Sequence, residues 1–407
     1  MQTLYKAGGV MSRIGCWGCL LGVAIALGNT FNAHSVAQIT PDGTLPNNSI
    51  VNINGNIFNI TGGTQAGTNL FHGFKDFSVP TGGGAFFNNT VDIANIISRV
   101  TGGSFSSIDG LIRTFGTANL FLINPNGIVF GPNASLNVGG SFVATTANAI
   151  QFGNIGFFSA TNPEAPSPLL TINPSALLFN QIAAASIQNR SVAPAGQVPT
   201  GLNASGLRVG NGRSLLLVGG DIKMDGGRLR AYGGRVELGG LASPGTVGLG
   251  VDGNNLSLSF PDNATRADVS LTNQASVRVD AAGGGSIAVN ARNIEILGES
   301  FLRAGILENL GSVGSVAGDI TLDATGEIKV AGSYIFNDVA SQAVGNGGNI
   351  NITTGSLSLT DLAQIAASTS GQGDAGSVFV RASDSVSVAT AVIFSTVERG
   401  AVGNGGS

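Results

Sequence analysis

Few side chains in this sequence belong to the types that do chemistry, and they lie far apart. The tightest grouping is Asp221, Lys223 and Asp225, within GGDIKMDGG. In an extended strand alternate residues share a face, so both carboxylates and the ammonium would point the same way. Paired acids of this kind run glycoside cleavage, but a solvated strand face looks the same, and that reading is preferred. Asp76, Asp92 and Asp109 stand singly, and later acids fall one by one at glycine-rich corners. His72, between Phe71 and Gly73, reads as a packing or surface histidine. Cys16 and Cys19 have the CxxC spacing of redox and metal motifs. Gln372-Gly373-Asp374 echoes a calcium-binding nonapeptide, but one copy builds no site. No GxGxxG, P-loop, HExxH or nucleophile elbow occurs in the context its chemistry needs. No cofactor and no metal is expected.

The amino terminus removes still more candidates. Lys6 and Arg13 precede an apolar stretch from Ile14 to Gly28, and Ser35-Val36-Ala37 then offers a small-x-small site before Gln38. Charge, length and cleavage chemistry are those of a signal peptide over 1–37, cut between Ala37 and Gln38. The run is shorter than the 18 or so apolar residues of a spanning helix. Cleavage takes both cysteines and the single tryptophan, leaving Met224 and His72 alone of their kinds. Thiol catalysis, structural zinc and Ser-His-Asp chemistry then lack raw material. Losing Lys6 and Arg13, and no acid, leaves 17 bases against 23 acids, a net charge of −6. Nothing in that balance suggests a nucleic-acid partner.

Composition describes the elements that must position whatever remains. The 407 residues are 43% hydrophobic and only 10% charged, against about 25% charged in ordinary domains. Glycine numbers 63, while glutamate and lysine, which favour helices, number seven and four. Val, Ile, Thr, Ser, Asn and Gly carry the chain, an all-β composition with many corners.

Along the chain, Ser49 to Ile60 alternates around Asn54-Gly55, a hairpin able to cover the open edge of a strand stack. Phe71, Phe74 and Phe77 follow at a spacing of three. One helical turn would align them, and burial beneath a loop is the preferred role. Leu120 to Ile123 is a short, wholly apolar run, the pattern of a strand buried on both faces. Asn124-Pro125-Asn126-Gly127 has the order a type I turn prefers, and Ile128-Val129-Phe130 resumes the strand. Asn124, Asn126, Asn133 and Asn137 recur at corners, where stacked amides can form a ladder. Residues 153–205 hold six prolines and read as an excursion over the main body.

Beyond Gly206 a repeat emerges. GGSIAVNARNIEILG, AGDITLDATGEIKVAG, GGNINITTGSLSLTD and AGSVFVRASDSVSVAT align on Gly285, Gly318, Gly348 and Gly376, with Gly406 next, at spacings of 33, 30, 28 and 30. Such a period marks a solenoid. With no helix per unit, the expected fold is a right-handed parallel β-helix with an amino-terminal cap and short extra-helical hairpins. The chain stops where another unit would start, so a longer product is expected.

NPNGI at Asn124 to Ile128, with NLFHGFKDFSVP upstream and SRVTGG, IDGLI and GSFVATTA around it, resembles the amino-terminal secretion domain of filamentous-haemagglutinin-type proteins. These are the exported partners of two-partner secretion systems. NPNG alone is a common turn; NPNGI in register with its neighbours is far more specific, and the likeness is densest over 69–152. It implies a secreted, non-enzymatic adhesin or surface protein. Its partner would be an Omp85-class, TpsB-type outer-membrane transporter with POTRA domains, with host or neighbour-cell glycans or proteins as further partners. It places recognition in the region of Asn124, Pro125, Asn126, Gly127 and Ile128, which physically should shape a corner rather than touch the transporter. The expected division is a secretion domain over 38–155, a continuing helix with its proline-rich excursion over 156–285, and repeats over 286–407. Two alternatives stand beside this: an extracellular polysaccharide lyase or hydrolase on the same scaffold, and a passive surface protein with no dedicated transporter.

Overall fold

Aliphatic runs too short for helices, separated by glycine corners, leave the chain one way to bury its side chains: coil upon coil. The computed structural model describes residues 38–252 and 255–407. The signal peptide, Cys16, Cys19 and Ala37 lie outside the described residues, while Gln38 begins them. The described chain is all β. Ten coils each contribute a strand to a first face, from Asn69–Phe77 to Val378–Val388. Every neighbouring pair of these strands runs parallel. A second face carries strands such as Ile128–Phe130, Ile222–Asp225 and Ile294–Leu297. A third is formed by Gly84–Phe87, Leu111–Thr114 and Ser135–Asn137 early in the chain, and by Leu207–Arg208 through Val392–Phe394 later. This is a parallel β-helix.

Register stacks like on like. One inward column of the first face reads Leu70, Ile96, Leu120, Phe142, Leu215, Val236, Ile287, Ile320 and Ile350. All are buried in one continuous core. Ile287 pairs with Ile320, Ile320 with Ile350, and Ile350 with Val378, so these coils advance 33, 30 and 28 residues. That matches the glycine period, and close approach explains it. A Cβ on Gly406 would strike the carbonyl of Gly376, one on Gly376 that of Gly348, and one on Gly348 that of Gly318.

The adjacent outward column reads Phe71, Ile97, Phe121, Val143, Leu216, Glu237, Ala288, Thr321 and Asn351. Its change from aromatic to polar has a visible cause. Two excursions leave the helix and join as one antiparallel sheet, ordered Gly156–Ser159, Ala149–Phe152, Ala176–Phe179, Gly245–Asp252 and Asn255–Ser259. Phe158, Leu177, Phe179 and Leu256 from this sheet bury Phe71, Phe121 and Leu216 in a second core. Where the cover ends, Glu237 accepts the backbone N–H of Leu258 at 3.0 Å and pairs with Arg235. Beyond it Ala288 is still buried, and Thr321 and Asn351 then meet water.

Antiparallel strands close the starting edge. Ser49–Asn54 pairs with Ile57–Gly62 about the expected Asn54-Gly55 turn, and Ile57–Gly62 then begins the third face beside Gly84–Phe87. Ile39–Pro41 and Thr64–Ala66 run antiparallel to the first strand. Neither the helical turn nor the covering loop expected for Phe71, Phe74 and Phe77 forms, because all three lie in the strand Asn69–Phe77. Phe71 faces the outer core while Phe74 and Phe77 face the inner one. A register shift opposite Lys75 brings Phe77 to the side of Phe74.

Candidate functional site

The strand Asn119–Ile123 is buried on both sides, as its unbroken apolar run requires: Leu120 and Leu122 face the inner core, Phe121 and Ile123 the outer. Asn124 then begins the corner. Its backbone N–H reaches the carbonyl of Thr145 on the coil above at 2.9 Å, and Gly127 N–H closes the turn onto Asn124 O at 3.1 Å. The side chain works in both directions. Oδ1 accepts from the Asn126 N–H at 3.0 Å, an Asx turn, while Nδ2 donates to Ser104 O at 3.0 Å and Ser106 Oγ at 2.9 Å on the coil below. Gly127 has φ +116°, a value other residues adopt only under strain. Pro125 and Ile128 are buried and Asn126 is exposed. The five residues therefore form one corner, beside a cleft of about 290 Å³ walled by Thr101, Gly102, Ala160 and Pro163.

The amide ladder forms on other residues than those expected. Asn124, Asn126 and Asn133 do bond to the preceding coil, but to Ser106, Gly102 and Asp109. The stacked asparagines are Asn69, Asn95 and Asn119, each opening a first-face strand. Asn119 Nδ2 donates to Asn95 Oδ1 at 3.0 Å, and Asn95 Nδ2 donates to Asn69 Oδ1 at 2.9 Å. The lower end donates to the carbonyls of Leu170 and Ile172 at 2.8 and 2.7 Å, pinning the first excursion to the helix. Asn-Leu-Phe, Asn-Ile-Ile and Asn-Leu-Phe at 69, 95 and 119 were the available signal.

Arg99, which pattern reading passed over, ties three segments together. It is fully buried, with Asp42 3.9 Å away, Thr44 Oγ1 accepting at 2.7 Å and Ser159 O at 2.9 Å. Its guanidinium lies 4.2 Å from the centre of the Phe158 ring. Burial lowers its pKa to about 10, against the pull of Asp42. His72 is a packing histidine, 1% exposed, held to Ser49 Oγ through Nδ1 at 2.9 Å and set among Phe74 and Phe87. Desolvation lowers its pKa to about 3.

Several of the remaining acids bind neighbouring side chains or backbone. Asp221 pairs with Lys223 at 3.4 Å, and Asp225 with Arg190 at 3.4 Å, all roughly half exposed. Corner acids bind the next coil's backbone: Asp109 accepts Asn133 N–H at 2.8 Å, Asp319 accepts Asn349 N–H at 2.8 Å, and Asp374 accepts Asn404 N–H at 2.8 Å. Among the described residues no three His, Cys, Asp or Glu side chains gather as metal ligands.

The family model described as the TPS secretion domain matches residues 37–289, well over half of the chain and past residue 155. That extent agrees with the second core, which joins Phe71 to Leu256. In fold the chain is similar to the HMW1 secretion domain of Haemophilus influenzae. The TM-score is 0.57 at 19% identity, covering 88% of this chain and 97% of that one. A filamentous hemagglutinin secretion domain also matches, at TM-score 0.37 and 14% identity, over 91% and 99%. No curated protein matches.

Proposed function

Since the chain belongs to the TPS secretion domain family, and is thus a two-partner-secretion exoprotein bound for the cell exterior through the outer membrane, we propose that its amino-terminal coils engage the POTRA domains of an Omp85-class, TpsB-type transporter. The family match over 37–289 carries this reading. Asn124 to Ile128 serve it indirectly, by setting the corner from which the next coil grows, and Ala37-Gln38 is the cleavage point. The chain crosses unfolded and then winds outside the cell. Residues beyond 37 hold no cysteine to cross-link it in transit, and each finished strand edge templates the next. The antiparallel strands over the first coil make that end the start of winding. The helical body acts at the surface as an adhesin and not as an enzyme, a reading supported by acids that bind backbone or basic side chains of neighbouring coils.

Deletion of Ser49–Phe152 in cells carrying the transporter tests the proposal. Surface protein is expected to disappear while the precursor is still made. Normal secretion of the deletion would overturn it.

A further inference from the structure

On the third face, register builds a column of arginines: Arg208 beside Arg230, Arg230 beside Arg278, Arg278 beside Arg303, and Arg303 beside Phe336. The next outward column holds Arg228, Ser276, Phe301 and Tyr334. Adjacent parallel strands lie about 4.8 Å apart, so stacked guanidiniums repel one another unless anions separate them. Asp280 serves two of them, 2.6 Å from Arg278 and 3.5 Å from Arg303. Glu299, also at the site, binds Gln274. Arg208, Arg228 and Arg230 form no close ion pair among the described residues, and Asp280 acts on Arg230 only from further off. Arg230, 5% exposed, has only Leu229 O, Ser276 O and Ser276 Oγ as acceptors.

Arg228, Arg230, Arg278 and Arg303, with Glu299, line a cleft of about 590 Å³, bordered on one side by Val198 and the strand Asn203–Ser205. A second cleft of about 580 Å³ shares Arg278, Arg303, Val198 and Asn203 with it, so the two make one trough. Tyr232 lines the first cleft, is 1% exposed, and its hydroxyl has no hydrogen-bond partner. Further along the same sheet the rings of Tyr334 and Phe336 lie nearly parallel, 5.6 Å apart.

We propose that this trough binds an acidic oligosaccharide bearing uronate carboxylates. Guanidinium forks take carboxylates in bidentate fashion, and aromatic faces such as Tyr334 and Phe336 take the apolar faces of sugar rings. Arg278 and Arg303, which line both clefts, are the arginines that meet its carboxylates. The site deepens the adhesin reading by giving it a ligand class, and rests on that reading only for where the ligand is met.

Calorimetric titration of the purified secreted protein with a polygalacturonate oligomer tests the binding, separately from export. Saturable binding is expected that weakens as salt rises, with a neutral oligomer of equal length at least tenfold weaker. Arg303→Gln and Phe336→Ala, on the trough's rim, are each expected to weaken binding about tenfold while circular dichroism stays unchanged. Equal affinity for the neutral oligomer, a sulfated oligomer bound in preference to the uronate, or no effect of either variant would overturn the proposal. So would the absence of saturable binding by the folded protein.

Discussion

His72 shows how one residue's surroundings translate into a pH dependence. Its pKa falls to about 3 in the folded chain because burial penalises the imidazolium; unfolded, it returns to about 6.5. The unfolded state therefore binds the extra proton first as the solution is acidified. This contribution is absent above about pH 6.5, grows as pH drops toward 3, and is constant below that. At pH 5 it amounts to about 2 kcal/mol of lost stability. His72→Phe, which suits the neighbouring Phe74 and Phe87 rings, is expected to lack that loss. Urea unfolding at pH 7 and pH 5 checks it: equal pH sensitivity in the two proteins would contradict the account. Nothing in the string Phe71-His72-Gly73 announced this environment, because Ser49 and Phe87 reach the imidazole from other strands.

The corner Asn124-Pro125-Asn126-Gly127 was readable as a turn from residue types alone, since proline fixes φ and the Asx side chain bonds locally. Its second duty was not readable, because Ser104 and Ser106 lie on another coil. Asn124→Ala strands those partners at a cost of about 1–3 kcal/mol, and Gly127→Ala forces an alanine to φ +116° at a similar cost. Both substitutions are expected to slow refolding, because the corner sets where the next strand begins. Far-ultraviolet circular dichroism after denaturant dilution reads the rate, and unchanged kinetics would refute the role. The Asn69, Asn95 and Asn119 ladder follows the same logic: each asparagine is local to its strand, but its partner is one coil away.

Over the described body as a whole, covered and uncovered parts of the helix obey different sequence rules. Phe121 and Thr321 occupy one outward column, yet Phe121 is buried beneath the extra-helical sheet and Thr321 is exposed. Phe121→Ala is expected to cost about 3–5 kcal/mol through the cavity it leaves, and Thr321→Ala less than about 0.5 kcal/mol. Denaturant midpoints of the two variants decide this, and similar small effects would mean that the sheet does not seal the face. Leu-Phe-Leu-Ile at 120–123 and Leu-Leu-Leu-Val at 215–218 are apolar on both sides because both sides are covered. Ile-Thr-Leu-Asp at 320–323 alternates because one side meets solvent.

Local information determined what local forces control: the strands, the corners, the repeat of 28 to 33 residues and, through them, a parallel solenoid. A β-rung repeats because backbone pairing and stacked aliphatic side chains need the same pattern in each coil. Tertiary structure alone decided which segments closed over the first face, where Arg99 found Asp42 and Phe158, and how Arg230, Arg278 and Arg303 came into one line. Those arrangements depend on the residue count between coils, which fixes register between positions 25 to 50 residues apart, and no window of neighbouring residues contains it.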